Sequence, residues 1–309
     1  MTVQIIAPAD GALGALVVRH VDLPAPAPDQ VRVEVRAAGV NPTDWKSVYG
    51  SWPRSAPTTV GFEAAGVVTA LGADVAARRL LTVGEEVIVY PVPGGYASDL
   101  LVSAGDVFRK PRTLDFAQAA NLLLVGTTAA EMLEVAGVRS GETVVVHGAL
   151  GATGISLLQQ VAQLQVRVIA TTGERNADLV GSFGAEPVSY GAGLAQRLRD
   201  AAPDGIDAAL DCVGTDEALE VSVELVADRA RVVSIANRDR AQELGIRFLD
   251  GREPQSLAYR NGQRRRLVEL ASVGALTVPV ARTLPLTAAE QAFAVLRSGH
   301  PGGRLALIP

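Results

Sequence analysis

The chain has 309 residues, 48% of them apolar and 20% charged, enough for a large buried core and two domains of ordinary size in a soluble globular protein. Its formal net charge of -5 argues against a nucleic-acid partner, and Arg264, Arg265 and Arg266 read as a solvated helix face. One cysteine, Cys212, excludes an intrachain disulfide and any four-cysteine zinc lobe; in the run AALDCV it reads as a small buried residue.

The N-terminal MTVQIIAPADG has no basic region followed by an apolar run, so no export signal is visible and a cytoplasmic compartment is expected. Residues 1 to about 117 read as β-rich. In Gln30 to Val40 the apolar Val31, Val33 and Val35 alternate with Arg32, Glu34 and Arg36, the pattern of a half-exposed antiparallel strand. Further strand-like runs span Gly14 to Val21, Ala64 to Leu71, Glu86 to Tyr90 and Ala97 to Val102, separated by turn clusters such as PAPAPD and PVPGG.

From Phe116 the pattern alternates. Helices are expected over 116–136, 154–164, 174–183, 193–202 and 215–227, with strands over 143–147, 167–171, 187–190, 206–212, 231–235 and 246–249. Six strands alternating with helices fit a doubly wound parallel sheet. A long helix over 254–274 then leads to a final strand, so both chain ends are expected in the other domain.

The most informative stretch is Thr143 to Gly154, TVVVHGALGATG, an apolar strand running into glycines Gly148, Gly151 and Gly154 and then a helical pattern. Such glycines permit a tight turn and close backbone approach to a pyrophosphate, with helix-start N–H groups facing the phosphates. The same spacing also occurs in ordinary strand-to-helix turns, and it is the complete βαβ unit around it that favours the nucleotide reading. The longest uncharged run, Thr143 to Val166, holds four glutamines and three glycines and is no membrane span. About 20 positions after the first glycine, where an NAD site places an acidic residue on the ribose, stand Ala170, Thr171 and Thr172.

The motifs NPTDWK (41–46), VGFEAAGVV (60–68), VGEEVIVY (83–90), GTTAAE (126–131), VHGALGATG (146–154) and SGHPGGRLAL near the C-terminus resemble the medium-chain dehydrogenase/reductase superfamily, specifically its zinc-free quinone oxidoreductase branch. The resemblance runs through nearly the whole chain in motif order. It implies an α/β protein with a GroES-like β-barrel catalytic domain (1–117 and 263–309), a Rossmann domain with a doubly wound parallel sheet (118–262) and a substrate cleft between them. In zinc-dependent relatives a Cys-His pair follows the strand where this chain has Asn41 and Pro42, and a Gly-His-Glu stands where it has Gly61, Phe62 and Glu63, so no metal ligands are implied. The histidines His20, His147 and His300 lie in unrelated segments.

The resemblance also places residues on the cofactor. Asn41 and Thr128 resemble those lining the nicotinamide end, Gly148 and Gly151 form the turn, and Ala152 and Thr153 occupy the helix-start positions that meet the pyrophosphate. Thr172, Arg175 and Tyr190 fall at the adenosine end, with Arg175 where relatives place a Lys or Arg on the 2′-phosphate; the alternative is a solvated first-turn residue beside Glu174. Val213, Gly214 and Asn237 close the fourth and fifth strands beside the nicotinamide. Lys46 and Tyr49 are the nearest matches to a tyrosine of some relatives, as proton donors or as surface residues of a loop. The activity implied is that of an NADPH-dependent reductase of a small-molecule quinone or α,β-unsaturated carbonyl compound, homodimeric, with no membrane or nucleic-acid partner. Two alternatives stand beside it, an enoyl-thioester reductase on the same scaffold and a non-catalytic NADPH-binding or sensing protein.

Overall fold

A computed structural model describes residues 1–8, 16–50, 57–299 and 302–309. The beginning of the expected run from Gly14, residues 51–56 just after Tyr49, and His300 lie outside the described residues. The chain divides into two units, Met1–Leu124 with Arg265–Pro309, and Val125–Arg264. The first division falls later than the expected 117/118 because Ala119, Ala120, Leu122 and Leu123 share one buried cluster with Ala37, Ala65 and Ile88.

The first unit is built on the strand Gln30–Val40. It pairs with Ala64–Leu71, Asp99–Ser103 and Arg304–Ile308 in a seven-stranded sheet that also holds Val280–Pro285, Glu86–Val89 and Val107–Arg109. Val31, Val33 and Val35 are buried as the alternation requires, but from Ala37 to Val40 every residue is buried. Burial on both faces there delivers the next residue, Asn41, into the interior. A three-stranded sheet of Val17–Val21, Thr2–Ala7 and Thr58–Thr59 completes the unit's strands among the described residues.

The second unit holds a six-stranded, wholly parallel sheet. Its spatial order is Glu186–Ser189, Arg167–Thr172, Thr143–His147, Ala208–Asp211, Val232–Ser234 and Arg247–Phe248, which is 3-2-1-4-5-6 in chain order. The strand cores read as continuous apolar runs, as parallel strands covered on both faces must: Val144, Val145 and Val146 are each no more than 1% exposed.

Local structure differs from the sequence reading in several places. The helix expected over 116–136 is two helices, Phe116–Ala119 and Leu123–Val135. Residues 42–49 form the helix Pro42–Tyr49 instead of a loop, because Pro42 is preset for a first helical position and the Asp44 carboxylate accepts the Asn41 N–H at 2.7 Å. Arg238–Leu244, for which no element was expected, is also helical, started by the Asn237 side chain accepting from Arg240 N–H at 3.1 Å and stopped by Gly245 at φ +67°. No described helix is long and apolar enough to cross a membrane.

Candidate functional site

In the second unit the strand order reverses between Thr143–His147 and Ala208–Asp211, the position where ligands sit outside the carboxyl ends of an open parallel sheet. The glycine turn follows the first of these strands. Gly148 has φ +71°, and a Cβ on Gly154 would lie 2.4 Å from the Gly148 carbonyl oxygen and 2.5 Å from that of Ala149, so turn and helix fit only without a side chain. The helix Ala152–Val161 begins at Gly151 with no side chain capping it. Ala152 and Thr153 are half-buried at that start, where first-turn N–H groups have no partner in the helix. This cradle fits a pyrophosphate, which supplies the acceptors that a capping side chain otherwise would.

At the second and third strand ends the structure brings Thr172 and Tyr190 together, with Arg175 on the turn that follows the second strand. Thr172 stands in register with Ser189, and its carbonyl accepts the Tyr190 N–H at 3.3 Å. The Tyr190 hydroxyl lies 3.2 Å from where a Cβ on Gly173 would be, while the residue as a whole remains 62% exposed. Arg175 is exposed on the short turn Glu174–Asn176.

Past the fourth strand, Val213 and Gly214 are shaped by a residue that sequence reasoning missed. The buried Asp211 carboxylate accepts the N–H groups of Val213 (3.0 Å) and Gly214 (2.9 Å) and the Ser234 hydroxyl (2.6 Å). Its only sequence signal is an acidic residue ending an apolar strand just before Gly214 at φ +70°. Asn237 joins the same corner, donating its amide to the Gly214 carbonyl at 3.1 Å. That amide thus ties Gly214 to the start of the helix Arg238–Leu244. Thr128 lies on Leu123–Val135, and its hydroxyl accepts from the buried Arg260 at 3.0 Å, which also pairs with Glu131 at 2.5 Å. Neither partner was identified from sequence. His147 is buried with Nδ1 3.0 Å from the Thr171 hydroxyl, and burial pushes its pKa down to about 4.

Asn41, Lys46 and Tyr49 belong to the first unit, where the chemistry is more densely arranged. The antiparallel register pairs Leu305 with Val40, which sets Arg304 beside Asn41. Arg304 donates to Asn41 Oδ1 at 2.5 Å and to Asn121 Oδ1 at 2.9 Å, and lies 3.4 Å from Glu63 Oε1. The Asn41 amide in turn donates to Glu63 Oε1 at 2.9 Å, and Glu63 Oε2 accepts the Leu124 N–H at 3.0 Å. Asp44 Oδ2 takes both the Asn41 N–H and the Tyr96 hydroxyl, the latter at 2.9 Å, while its Oδ1 has no hydrogen-bond partner. All six side chains, Asn41, Asp44, Glu63, Tyr96, Asn121 and Arg304, are buried. One guanidinium therefore serves two carboxyls, and burial raises the Asp44 pKa from 3.8 to about 7 against the two donated bonds; burial likewise raises Glu63 against the pull of Arg304.

Asn41 is 0% exposed and its amide is committed on both sides, so a direct side-chain contact with a ligand gives way to a place inside this network. Tyr49 gives its hydroxyl to Glu290 and meets Phe293 edge-on with ring centroids 6.3 Å apart, so its contacts are those of packing against the helix Ala289–Ser298. Lys46 is half-buried on Pro42–Tyr49, one turn before that tyrosine. Arg304, Asn121 and Tyr96 escaped sequence reasoning. The one available hint was a charged residue opening an otherwise apolar strand, RLAL.

Residues 27–112 match the family description "Alcohol dehydrogenase GroES-like domain" and residues 183–307 match "Zinc-binding dehydrogenase". The rat quinone oxidoreductase (Rattus norvegicus) is 32% identical over 70% of this chain and 67% of its own length. A probable quinone oxidoreductase of Schizosaccharomyces pombe is 30% identical over 93% of this chain and 91% of its own. A mycobacterial protein solved in complex with NADPH superposes with a TM-score of 0.81 at 26% identity, covering 100% of both chains. The zinc in the second description does not fit the residues here. Asn41 and Pro42 supply no imidazole or thiolate, Glu63 is tied to Arg304, Asn41 and Leu124, and no cluster of three or more His, Cys, Asp or Glu able to hold a metal exists among the described residues. With a GroES-like domain, a Rossmann domain and these relatives, the chain belongs to the medium-chain dehydrogenase/reductase superfamily, in its zinc-free quinone oxidoreductase branch, and is a nicotinamide-dependent oxidoreductase.

Proposed function

We propose that the protein is an NADPH-dependent, zinc-independent reductase of quinones or α,β-unsaturated carbonyl compounds. The observation that supports it most is the glycine turn and uncapped helix start at the reversal of strand order, with Arg175 and Tyr190 at the next strand ends and no carboxylate at 170–172. When bound, NADPH supplies a hydride to an electrophilic carbon.

The chain's residues bind and orient. Backbone N–H groups at Ala152 and Thr153 hold the pyrophosphate, and Arg175 offers a planar donor fork to the 2′-phosphate beside Thr172 and Tyr190. Val213 and Gly214, fixed by Asp211, together with the backbone at Asn237, line the nicotinamide half, where the Thr128 hydroxyl is set by Arg260. Asn41 contributes by fixing the start of Pro42–Tyr49, the helix that carries Lys46. The substrate oxygen that becomes negative on reduction would need a proton, which Lys46 or water would donate. Tyr49 is not the donor in this scheme, since its hydroxyl is engaged by Glu290.

NADPH oxidation scored against quinones, enones and enoyl thioesters, with chelator present, tests the reading. Turnover of quinones or enones that chelator leaves intact is expected. Turnover confined to enoyl thioesters would reassign the substrate, and NADPH binding without any turnover would make this a binding protein. We propose further a cytoplasmic homodimer formed through the edge strand Arg247–Phe248, for which the mass in solution at micromolar concentration is the check.

A further inference from the structure

Residues 189–193, which follow the edge strand Glu186–Ser189 and carry Tyr190, are fastened by two charged side chains from neighbouring helices. Arg197, on Leu194–Ala201, donates Nε and Nη2 to the Ser189 carbonyl (2.9 and 2.7 Å), Nη2 to that of Gly191 (2.8 Å) and Nη1 to that of Ala192 (2.8 Å). Glu217, on Asp216–Leu225, accepts the Gly191 N–H at 3.0 Å. The segment doubles back through Gly191 at φ +96° and Gly193 at φ +84°, so the carbonyls converge on one guanidinium. Three carbonyls and one N–H are held by full charges, yet the residue they surround, Tyr190, remains 62% exposed. The fastening secures the backbone and leaves the aromatic residue exposed, the reverse of what a packing contact needs.

We infer that Arg197 and Glu217 are positioning residues that hold Tyr190 ready as a stacking platform for the adenine end of the dinucleotide. This rests on the NADPH reading above. An unfastened loop has to be ordered when the ligand arrives, and holding it in the bound form beforehand removes that cost from binding. An aromatic platform for a base is worth about 1–3 kcal/mol, or roughly five- to hundredfold in affinity.

Titrating NADPH against the unmodified protein and its variants is the test, at a temperature where all are folded by circular dichroism. Arg197→Ala and Tyr190→Ala should each weaken NADPH binding about tenfold. The double variant should also lie near tenfold, because Arg197 acts through Tyr190 and the two losses do not multiply. Arg197→Lys, whose single ammonium reaches only part of the carbonyl set, should recover part of the affinity. Without cofactor, exchange of the Gly191 amide should be slow in the unmodified protein and fast in Arg197→Ala and Glu217→Ala. Arg197→Ala binding NADPH within twofold of the unmodified protein, or a double variant weakened by the product of the two single losses, would overturn the platform. Failure of the unmodified protein to bind NADPH would instead overturn the functional reading, with the exchange experiment still deciding whether the clamp orders the segment.

Discussion

Replacing Arg304 by alanine should unfold the first unit at a markedly lower temperature, because the guanidinium is the cation for a wholly buried set of acceptors. Its removal strips donors from Asn41 Oδ1, Asn121 Oδ1 and Glu63 Oε1, none of which water can reach while the unit stays closed. A buried acceptor left unpaired costs about 1–3 kcal/mol, and a buried ion pair broken on one side about 3–5 kcal/mol. The larger range already contains the orphaned amides, so the two are not summed. At about 2–4 °C per kcal/mol for a unit of this size, the loss corresponds to roughly 6–20 °C. The assay is favourable because Trp45 lies in the first unit, so tryptophan fluorescence can be followed beside circular dichroism of the whole chain. Neutralising the adjacent carboxyl as well, in Glu63→Gln with Arg304→Met, should be less harmful than Arg304→Ala alone, since Glu63 is then not left as an unpaired charge. An Arg304→Ala midpoint within about 2 °C of the unmodified protein would refute the reasoning, as it would place the guanidinium's net worth under about 1 kcal/mol.

The same cluster makes stability depend on pH. With its pKa raised from 3.8 to about 7 among Glu63, Arg304 and Tyr96, Asp44 holds a proton in the folded chain that the unfolded chain releases, so its contribution is complete below 3.8 and lost as pH rises through about 7. Asp44→Asn should flatten the fall in the tryptophan-detected midpoint across that window; an unchanged slope would assign the dependence elsewhere. Gly154→Ala should destabilise the second unit by about 1–3 kcal/mol through collision with two backbone carbonyls, and should weaken NADPH binding in titration; a variant as stable and as tight as the parent would show that the turn yields. Arg175→Ala should erase most of an expected tenfold or greater preference for NADPH over NADH, a charge-assisted hydrogen bond being worth about 1.5–3 kcal/mol; equal dissociation constants for both cofactors in the unmodified protein would count against it.

Periodicity and glycine spacing determined the parts of this protein that depend on neighbouring residues along the chain. The strand Thr143–His147 has the bounds expected from its run of β-branched residues, as have Gln30–Val40 and Ala64–Leu71. The glycine turn was legible because its demand is local: a left-handed φ at Gly148 and no room for a Cβ at Gly154. The absence of an acidic residue at 170–172 could be read for the same reason, since strand length fixes where the second strand ends.

What the tertiary structure decided are the partners brought from afar. Nothing in the spacing of Asn41, Glu63, Tyr96, Asn121 and Arg304 announces that they meet; the antiparallel register of Arg304–Ile308 on Gln30–Val40 puts residue 304 next to residue 41. That meeting changes what Asn41 does, from a polar side chain available to a ligand into the centre of a buried charge network. Tyr49 is altered likewise, because only the folded chain brings Glu290 to its hydroxyl. A side chain's chemical type is written in the sequence, but its pKa, its committed hydrogen bonds and its exposure depend on groups far away along the chain. For this chain the cofactor cradle was therefore readable before the fold was seen, and the buried cation that organises the other unit was not.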